Sequence, residues 1–278
     1  MRIIVAEDIG FCSGVRRALK MTLSEINENE KIYTLGEIVH NKTVVDSLRK
    51  RGVNVLQENI IPEDAKNSSL IIRAHGISRD QLFELQKVFK KIVDTTCPIV
   101  HNLFQTASRI HQEGYRIVVF GKESHPEMSA LKGYVKDATI TLKPPELSGR
   151  ICIMSQTTMS IDEFYDFVVK SISQSKFSEI RIINTVCEIT ARREKEAQKI
   201  AKQVDLMIII GGKNSSNTSK LTKIASKFTR AIQIETPEEV DKINFDKVEM
   251  IGITTGTSTP EEDVKTVIDK IKCRRERK

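Results

Sequence analysis

The stretch "GFCSGVRRALK", Gly10–Lys20, sets a cysteine where a short apolar strand, Ile3–Ala6, should give way to a helix. A thiol at such a junction is buried filler, a nucleophile or a metal ligand, and Cys12 alone does not choose among them. Two further stretches bear on the choice. "KIVDTTC" ends at Cys97 and "IRIINTVC" at Cys187, at successive intervals of 85 and 90 residues. In all three, an apolar run leads to the cysteine and about 15 residues of helical apolar spacing follow it, as in "VRRALKMTLSEI" and "REKEAQKIAKQ".

The register extends beyond the cysteines. A glycine stands 24 residues after each, at Gly36, Gly121 and Gly211, closing "KIYTLG", "RIVVFG" and "LMIIIGG". A polar residue stands 28 residues after each: His40, His125 and Ser215. Pro-Glu pairs at Pro62, Pro145 and Pro237 each predict a short helix. A further apolar strand then appears in "SLIIRAHG", "RICIMSQTT" and "MIGITTG". Capping-box signatures follow at Ser78/Gln81, Ser160/Glu163 and Thr259/Glu262. Chance does not keep so many offsets aligned. The chain is a threefold internal repeat.

Each third alternates strands with helices, which predicts right-handed crossovers and parallel sheets. The fold class is therefore α/β, built of three similar units: residues 1–96, 97–184 and 185–278. Ligands of such sheets bind beyond the carboxyl ends of the strands, the edge on which all the repeated polar positions fall. Units related by a pseudo-threefold axis would bring Cys12, Cys97 and Cys187 to one centre.

Composition narrows the chemistry. A hydrophobic fraction of 39% fits a folded chain, and the net charge of +7 is spread out except in the tail KCRRERK, Lys272–Lys278. Without Trp and with few aromatics, base stacking has little support, so nucleic acid is not an expected partner. Ile3–Ala6 is too short for a signal-peptide core, and the longest apolar run, Leu206–Ile210, is far below the ~20 residues of a membrane span. The expected location is the cytoplasm, with no membrane partner, where five cysteines are thiols or metal ligands.

Three thiolates from three units suit zinc or an iron–sulfur cluster. Zinc sites draw on close C-x-x-C pairs, and none occurs here. Clusters accept distant cysteines, and three ligands on a four-iron centre leave one iron open to substrate. Cys152, within a strand run, and Cys273, in the tail, lie outside the register. His40, His75 and His125 fall at motif positions, whereas His101 and His111 lie on the helix after Cys97. In the third unit, "GGKNSSNTS" (Ser215, Ser216, Asn217) offers backbone N–H groups, amides and hydroxyls at a helix start, a cradle for an anion. With the loop around Ser258 it points to a diphosphate, and the absence of a P-loop or G-x-G-x-x-G argues against ATP and dinucleotides. Glu127, in "SHPE", is the one carboxylate in this constellation. It is either a helix-start charge or a proton donor with a raised pKa, with Thr157 and Thr158 adding hydroxyls. On these grounds a reductase, a zinc-bound hydrolase and a non-catalytic phosphometabolite-binding regulator all remain open.

Taken together, "GFCSGVRRA", "GEIVHN", "RAHG", "DTTCP", "SHPE", "SQTTMS", "KNSSNTS" and "TGTSTP" resemble the 4-hydroxy-3-methylbut-2-enyl diphosphate reductases over essentially the whole chain. The resemblance implies a trefoil of α/β units around a [4Fe–4S] cluster, seen as [3Fe–4S] after loss of the labile iron. Its ligands would be Cys12, Cys97 and Cys187. It implies reductive loss of an allylic hydroxyl, giving isopentenyl and dimethylallyl diphosphates with two electrons from ferredoxin or flavodoxin and two protons. His40, His75, His125, Ser215, Ser216, Asn217 and Ser258 match substrate-holding positions. Thr157 matches the threonine beside the reacting hydroxyl and Glu127 the acid. Two departures stand out: Thr255 and Thr257 where the family commonly has alanine, and Arg193-Glu194 where Arg-Gln is common. The first is expected to add hydroxyls near the phosphate loop and the second to have little effect. The additional RNA-binding domain of some relatives is not expected.

Overall fold

Short, strongly apolar runs such as "LMIII" and "SLII" are expected of strands covered on both faces, and the computed structural model places both in parallel sheets. It describes residues 2–26, 30–39, 41–56 and 60–276. The first sheet takes β2 (Ile32–Leu35), β3 (Val53–Leu56), β4 (Ser69–Ile72) and β5 (Lys91–Asp94) in the order β3-β2-β4-β5. The second takes β6 (Arg116–Phe120), β7 (Thr139–Thr141), β8 (Ser148–Ser155) and β9 (Lys176–Ile182) in the order β7-β6-β8-β9. The third takes β10 (Leu206–Ile210), β11 (Arg230–Ile234), β12 (Met250–Thr255) and β1 (Arg2–Val5) in the order β11-β10-β12-β1. Every pairing is parallel, and the three strand orders are the same permutation.

The strand before each cysteine is the edge strand that completes the sheet of the preceding repeat. β5 leads to Cys97, β9 to Cys187, and β1 closes the C-terminal sheet and leads to Cys12. A helix starts directly after each: α1 (Ser13–Ser24), α4 (Pro98–Gln112) and α7 (Glu188–Ala201). The remaining helices are α2 (Lys42–Lys50), α3 (Arg79–Gln86), α5 (Pro126–Lys132), α6 (Ile161–Ser173), α8 (Ser216–Ala225) and α9 (Glu261–Glu276).

The chain divides into two compact units. One holds Met1–Arg16, Val39–Lys50 and Glu188–Lys278 with the C-terminal sheet, and the other Arg17–Ile38 and Arg51–Cys187 with the first two sheets. In the C-terminal sheet, Ala197, Ile200 and Leu221 from α7 and α8 pack with Met207 and Ile209, while Val264, Val267 and Ile271 of α9 pack with Ile208, Ile210 and Ile253. The second sheet is likewise sandwiched, with Leu103 and Met128 in one core cluster and Phe164 and Phe167 in another.

Two expectations fail locally. Pro237 opens a 3-10 helix and another covers Ala65–Asn67, but no helix forms at Pro145. β8 then begins at Ser148. Ser78 caps α3, accepting the Gln81 N–H at 3.2 Å, whereas Ser160 stands at the N-cap of α6 without a side-chain cap hydrogen bond and the Thr259 hydroxyl donates to the Ile210 carbonyl at 2.8 Å instead of capping α9.

Candidate active site

Each candidate cysteine occupies the same backbone frame. The N–H of Cys97 donates to Ala74 O at 3.0 Å, that of Cys187 to Thr157 O at 2.8 Å and that of Cys12 to Thr257 O at 3.1 Å. In every case the acceptor lies on the loop after the third strand of the sheet, and the next residue is His75, Thr158 or Ser258. One backbone hydrogen bond thus couples each thiol to a loop that carries a candidate substrate group. The cysteines also begin their helices: Cys12 O accepts from Arg16 N–H and Cys97 O from His101 N–H, both at 2.9 Å. A helix N-terminus favours an anionic group, and a ligating cysteine is a thiolate.

The two cysteines outside the register differ in setting. Cys12, Cys97 and Cys187 are partly exposed, Cys273 is exposed, and Cys152 is buried within β8. Burial pushes the Cys152 thiol up to about 11, which leaves it protonated at neutral pH. Among the described residues no three His, Cys, Asp or Glu side chains form a single-ion site.

Within the unit that contains the first two sheets, the candidate groups form one continuous path. Cys97 bonds to Ala74, the neighbour of His75. The His75 ring meets that of His125 edge-on at 5.4 Å. His125 is the N-cap of α5, and its Nδ1 accepts the Glu127 N–H at 3.2 Å, so in the neutral ring Nε2 carries the proton. Glu127, 1% exposed, accepts from the Thr157 N–H at 2.8 Å through Oε1 and from the Thr157 hydroxyl at 2.7 Å through Oε2. Burial outweighs those two donors and pushes the carboxyl up to about 7. Thr157 O closes the path at Cys187. A carboxyl poised near neutrality against a hydroxyl can give up or hold a proton at working pH.

In the other unit the start of α8 forms the second element. Ser215 caps it, accepting the Thr218 N–H at 3.3 Å. Asn217 is 4% exposed, and neither its Oδ1 nor its Nδ2 has a hydrogen-bond partner among the described residues. A buried amide left so is costly unless something else supplies its hydrogen bonds, and a phosphate oxygen is an acceptor suited to Nδ2. The helix start nests against two strand ends: a Cβ at Gly211 would come within 2.5 Å of Thr218 Oγ1, and one at Gly256 within 2.1 Å. Ser216 and Ser258 are partly exposed, and His40 lies outside the described residues.

Arg193, Glu194 and Thr255 have contacts that the sequence did not indicate. Arg193 is 2% exposed and donates to Gly10 O at 2.8 Å, Gly256 O at 2.9 Å and Thr255 O at 3.2 Å. Glu194 pairs with Lys220 of α8 at 2.5 Å, both largely buried. The Thr255 hydroxyl accepts the Gly10 N–H at 2.9 Å, so it serves the Cys12 loop. Helical periodicity marked α7 without indicating that its charged face is turned inward. No sequence signal separates such an arginine from a solvated one.

Comparison with known proteins places the chain in a family. Residues 3–272 match the model of the LytB protein family. The 4-hydroxy-3-methylbut-2-enyl diphosphate reductase of Thermotoga maritima is 44% identical over 98% of this chain and 96% of its own length. That of Clostridioides difficile is 37% identical over 96% of this chain and 98% of its own. A solved structure of (E)-4-hydroxy-3-methyl-but-2-enyl diphosphate reductase, the terminal enzyme of the non-mevalonate pathway, is 34% identical with a TM-score of 0.71, covering 98% of this chain and 99% of its own. The Plasmodium falciparum reductase is 25% identical with a TM-score of 0.86, covering 96% and 87%. With a family match along nearly its whole length and the same three-sheet α/β construction, the chain belongs to the LytB family.

Proposed function

We propose that this protein reductively removes the hydroxyl of 4-hydroxy-3-methylbut-2-enyl diphosphate, consuming two electrons and two protons and releasing water with isopentenyl or dimethylallyl diphosphate. The observation that carries this reading is the Glu127–Thr157 pair, a buried carboxyl near neutrality bonded to a hydroxyl, midway on the path between two thiols. Cys12, Cys97 and Cys187 would hold a [4Fe–4S] cluster, whose chemistry when bound is to pass electrons to the substrate from a ferredoxin- or flavodoxin-type donor. The donor set fits: three partly exposed thiols, each in the same frame at a helix start.

The chain's own groups do the rest. When protonated on Oε2, Glu127 donates to the Thr157 hydroxyl oxygen 2.7 Å away, and that hydroxyl gives its own proton to the departing hydroxyl, so that water leaves. His125 presents Nε2–H, and His75 stands against it; both suit diphosphate oxygens. On this reading Ser215, Ser216, Asn217 and Ser258, with His40, would also take diphosphate oxygens; the amide of Asn217, without a partner among the described residues, supports its part in this. The reaction sits in the cytoplasm on this reading.

The test is substrate-dependent oxidation of reduced methyl viologen by the anaerobically reconstituted protein. Dye consumption with formation of the two diphosphate products is expected. Tight diphosphate binding with no dye consumed would instead indicate a regulator.

A further inference from the structure

The three cysteines share one backbone hydrogen bond, but the approach to Cys12 differs from the other two. Only Thr95 and Thr96 separate β5 from Cys97, and Asp94 Oδ1 spans them, accepting the Thr96 N–H at 2.9 Å and its hydroxyl at 2.5 Å. Before Cys187, Asn184 Oδ1 accepts the Val186 N–H at 3.1 Å. Both approaches are also tied to neighbouring segments: Arg17 Nη1 donates to Thr96 O at 3.1 Å, the Thr95 N–H to Ile72 O at 3.1 Å, and the Ser155 N–H to the Thr185 hydroxyl at 2.9 Å. β1 ends at Val5, and Ala6–Phe11 must then cross to Cys12 with a left-handed Gly10 at φ 78°. This longer segment is likewise held by groups distant in sequence. The Glu196 carboxylate accepts the Glu7 N–H at 2.6 Å, the Thr255 hydroxyl accepts the Gly10 N–H, and Arg193 takes the Gly10 carbonyl.

Arg193 does more than hold Gly10. Its Nη2 donates to Gly10 O, two residues before Cys12, while its Nη1 donates to Thr255 O and Gly256 O, just before Ser258. A planar guanidinium presents its donors in a fixed fork, which a lysine ammonium cannot reproduce. Buried at 2% exposure, the fork ties the two loops at a set separation, and the Cys12 N–H to Thr257 O bond lies beside that tie.

We propose that Arg193, with the Thr255 hydroxyl, is a positioning residue that fixes the Cys12 loop against the Ser258 loop, setting a cluster ligand and a phosphate contact in register. This rests on the function proposed above only for what the two loops hold. The brace itself is a property of the chain.

The test compares wild type, Arg193→Lys and Thr255→Val as iron–sulfur holoproteins and as apoproteins. Three quantities are read: the rate of iron loss to a chelator, the affinity for inorganic diphosphate, and amide hydrogen exchange at Gly10–Cys12 and at residues 255–258. Hydrogen bonds to a charged donor are strong enough that Arg193→Lys should speed iron loss and weaken diphosphate binding by at least ~10-fold each. Exchange should rise in those two loops and stay unchanged in β10 and β12. Thr255→Val should speed exchange at Gly10 and iron loss by a smaller factor. Arg193→Lys indistinguishable from wild type, or exchange rising equally throughout the sheet, would overturn the proposal. If Arg193→Lys does not fold, Thr255→Val decides, and wild-type behaviour of that variant overturns it. A wild-type protein that takes up no iron and sulfide would sink the proposed function, while the exchange data would still judge the brace.

Discussion

The starts of α5 and α8 occupy the same place in two repeats and carry opposite chemistry. His125 and Ser215 are the caps, each 28 residues after its cysteine, and two residues later come Glu127 and Asn217, both almost fully buried. Glu127 is satisfied from within, by two donors of Thr157. Asn217 has no hydrogen-bond partner among the described residues. One backbone frame has therefore yielded a self-contained proton site and an amide that waits for an external partner. A repeated fold can divide labour among its copies by a few side chains while the strand order stays the same.

The largest effect that would break this comparison is on turnover. Glu127→Gln should fold, retain its cluster and bind diphosphate, yet lose roughly 10²–10⁴-fold in kcat, the contribution expected of a general acid. Near-wild-type turnover with a viologen donor would reduce Glu127 to a helix-start charge. Turnover of the wild type should also fall as pH rises through about 7, where the carboxyl loses its proton, and the variant should lack that limb.

Next in size is the effect on stability. The Glu127 carboxyl lies at about 7 when folded against an ordinary 4.5. Between these values the native state binds more protons than the unfolded one, so this contribution is full below about 4.5 and is lost as pH rises through about 7. The loss is on the order of 3 kcal/mol. Urea unfolding of the apoprotein from pH 4.5 to 7.5 should show this decline, and Glu127→Gln should remove it. A slope that persists in the variant would place the titration elsewhere.

Asn217 should show the contrary pattern. Removing a polar group that has no internal partner is close to neutral for the apoprotein, so Asn217→Ala should shift stability little. The same substitution should weaken inorganic diphosphate binding by about 10-fold, as expected for one lost hydrogen bond to a charged group. A large loss of stability with unchanged diphosphate affinity would reverse the roles assigned to these two helix starts. The smallest effect is expected at Cys152, where Cys152→Ser should leave iron content unaltered, because a buried thiol pushed up to about 11 is a poor thiolate ligand.

Periodicity and the fixed offsets from Cys12, Cys97 and Cys187 were sufficient to read parallel α/β units, the glycines at the strand ends and the cap positions His125 and Ser215. They were sufficient because each offset reflects a repeated backbone requirement. What escaped was set by partners distant in sequence. The closure of the C-terminal sheet by β1 depends on pairing Arg2–Val5 with Met250–Ile253 across almost the whole chain. The inward turn of Arg193 depends on carbonyls at Gly10 and Gly256. No helix forms at Pro145, although the corresponding Pro-Glu pair at Pro237 opens a 3-10 helix.

The central claim is that three thiols, one from each repeat, hold an iron–sulfur cluster. Iron and acid-labile sulfide should be measured on anaerobically purified wild type and on Cys12→Ser, Cys97→Ser, Cys187→Ser and Cys152→Ser. The account predicts a brown wild type with roughly three to four irons per chain and matching sulfide. It predicts loss or degradation of the cluster in each of the first three variants, and retention in Cys152→Ser. A colourless wild type carrying zinc, or a cluster that survives Cys187→Ser and disappears in Cys152→Ser, would contradict it.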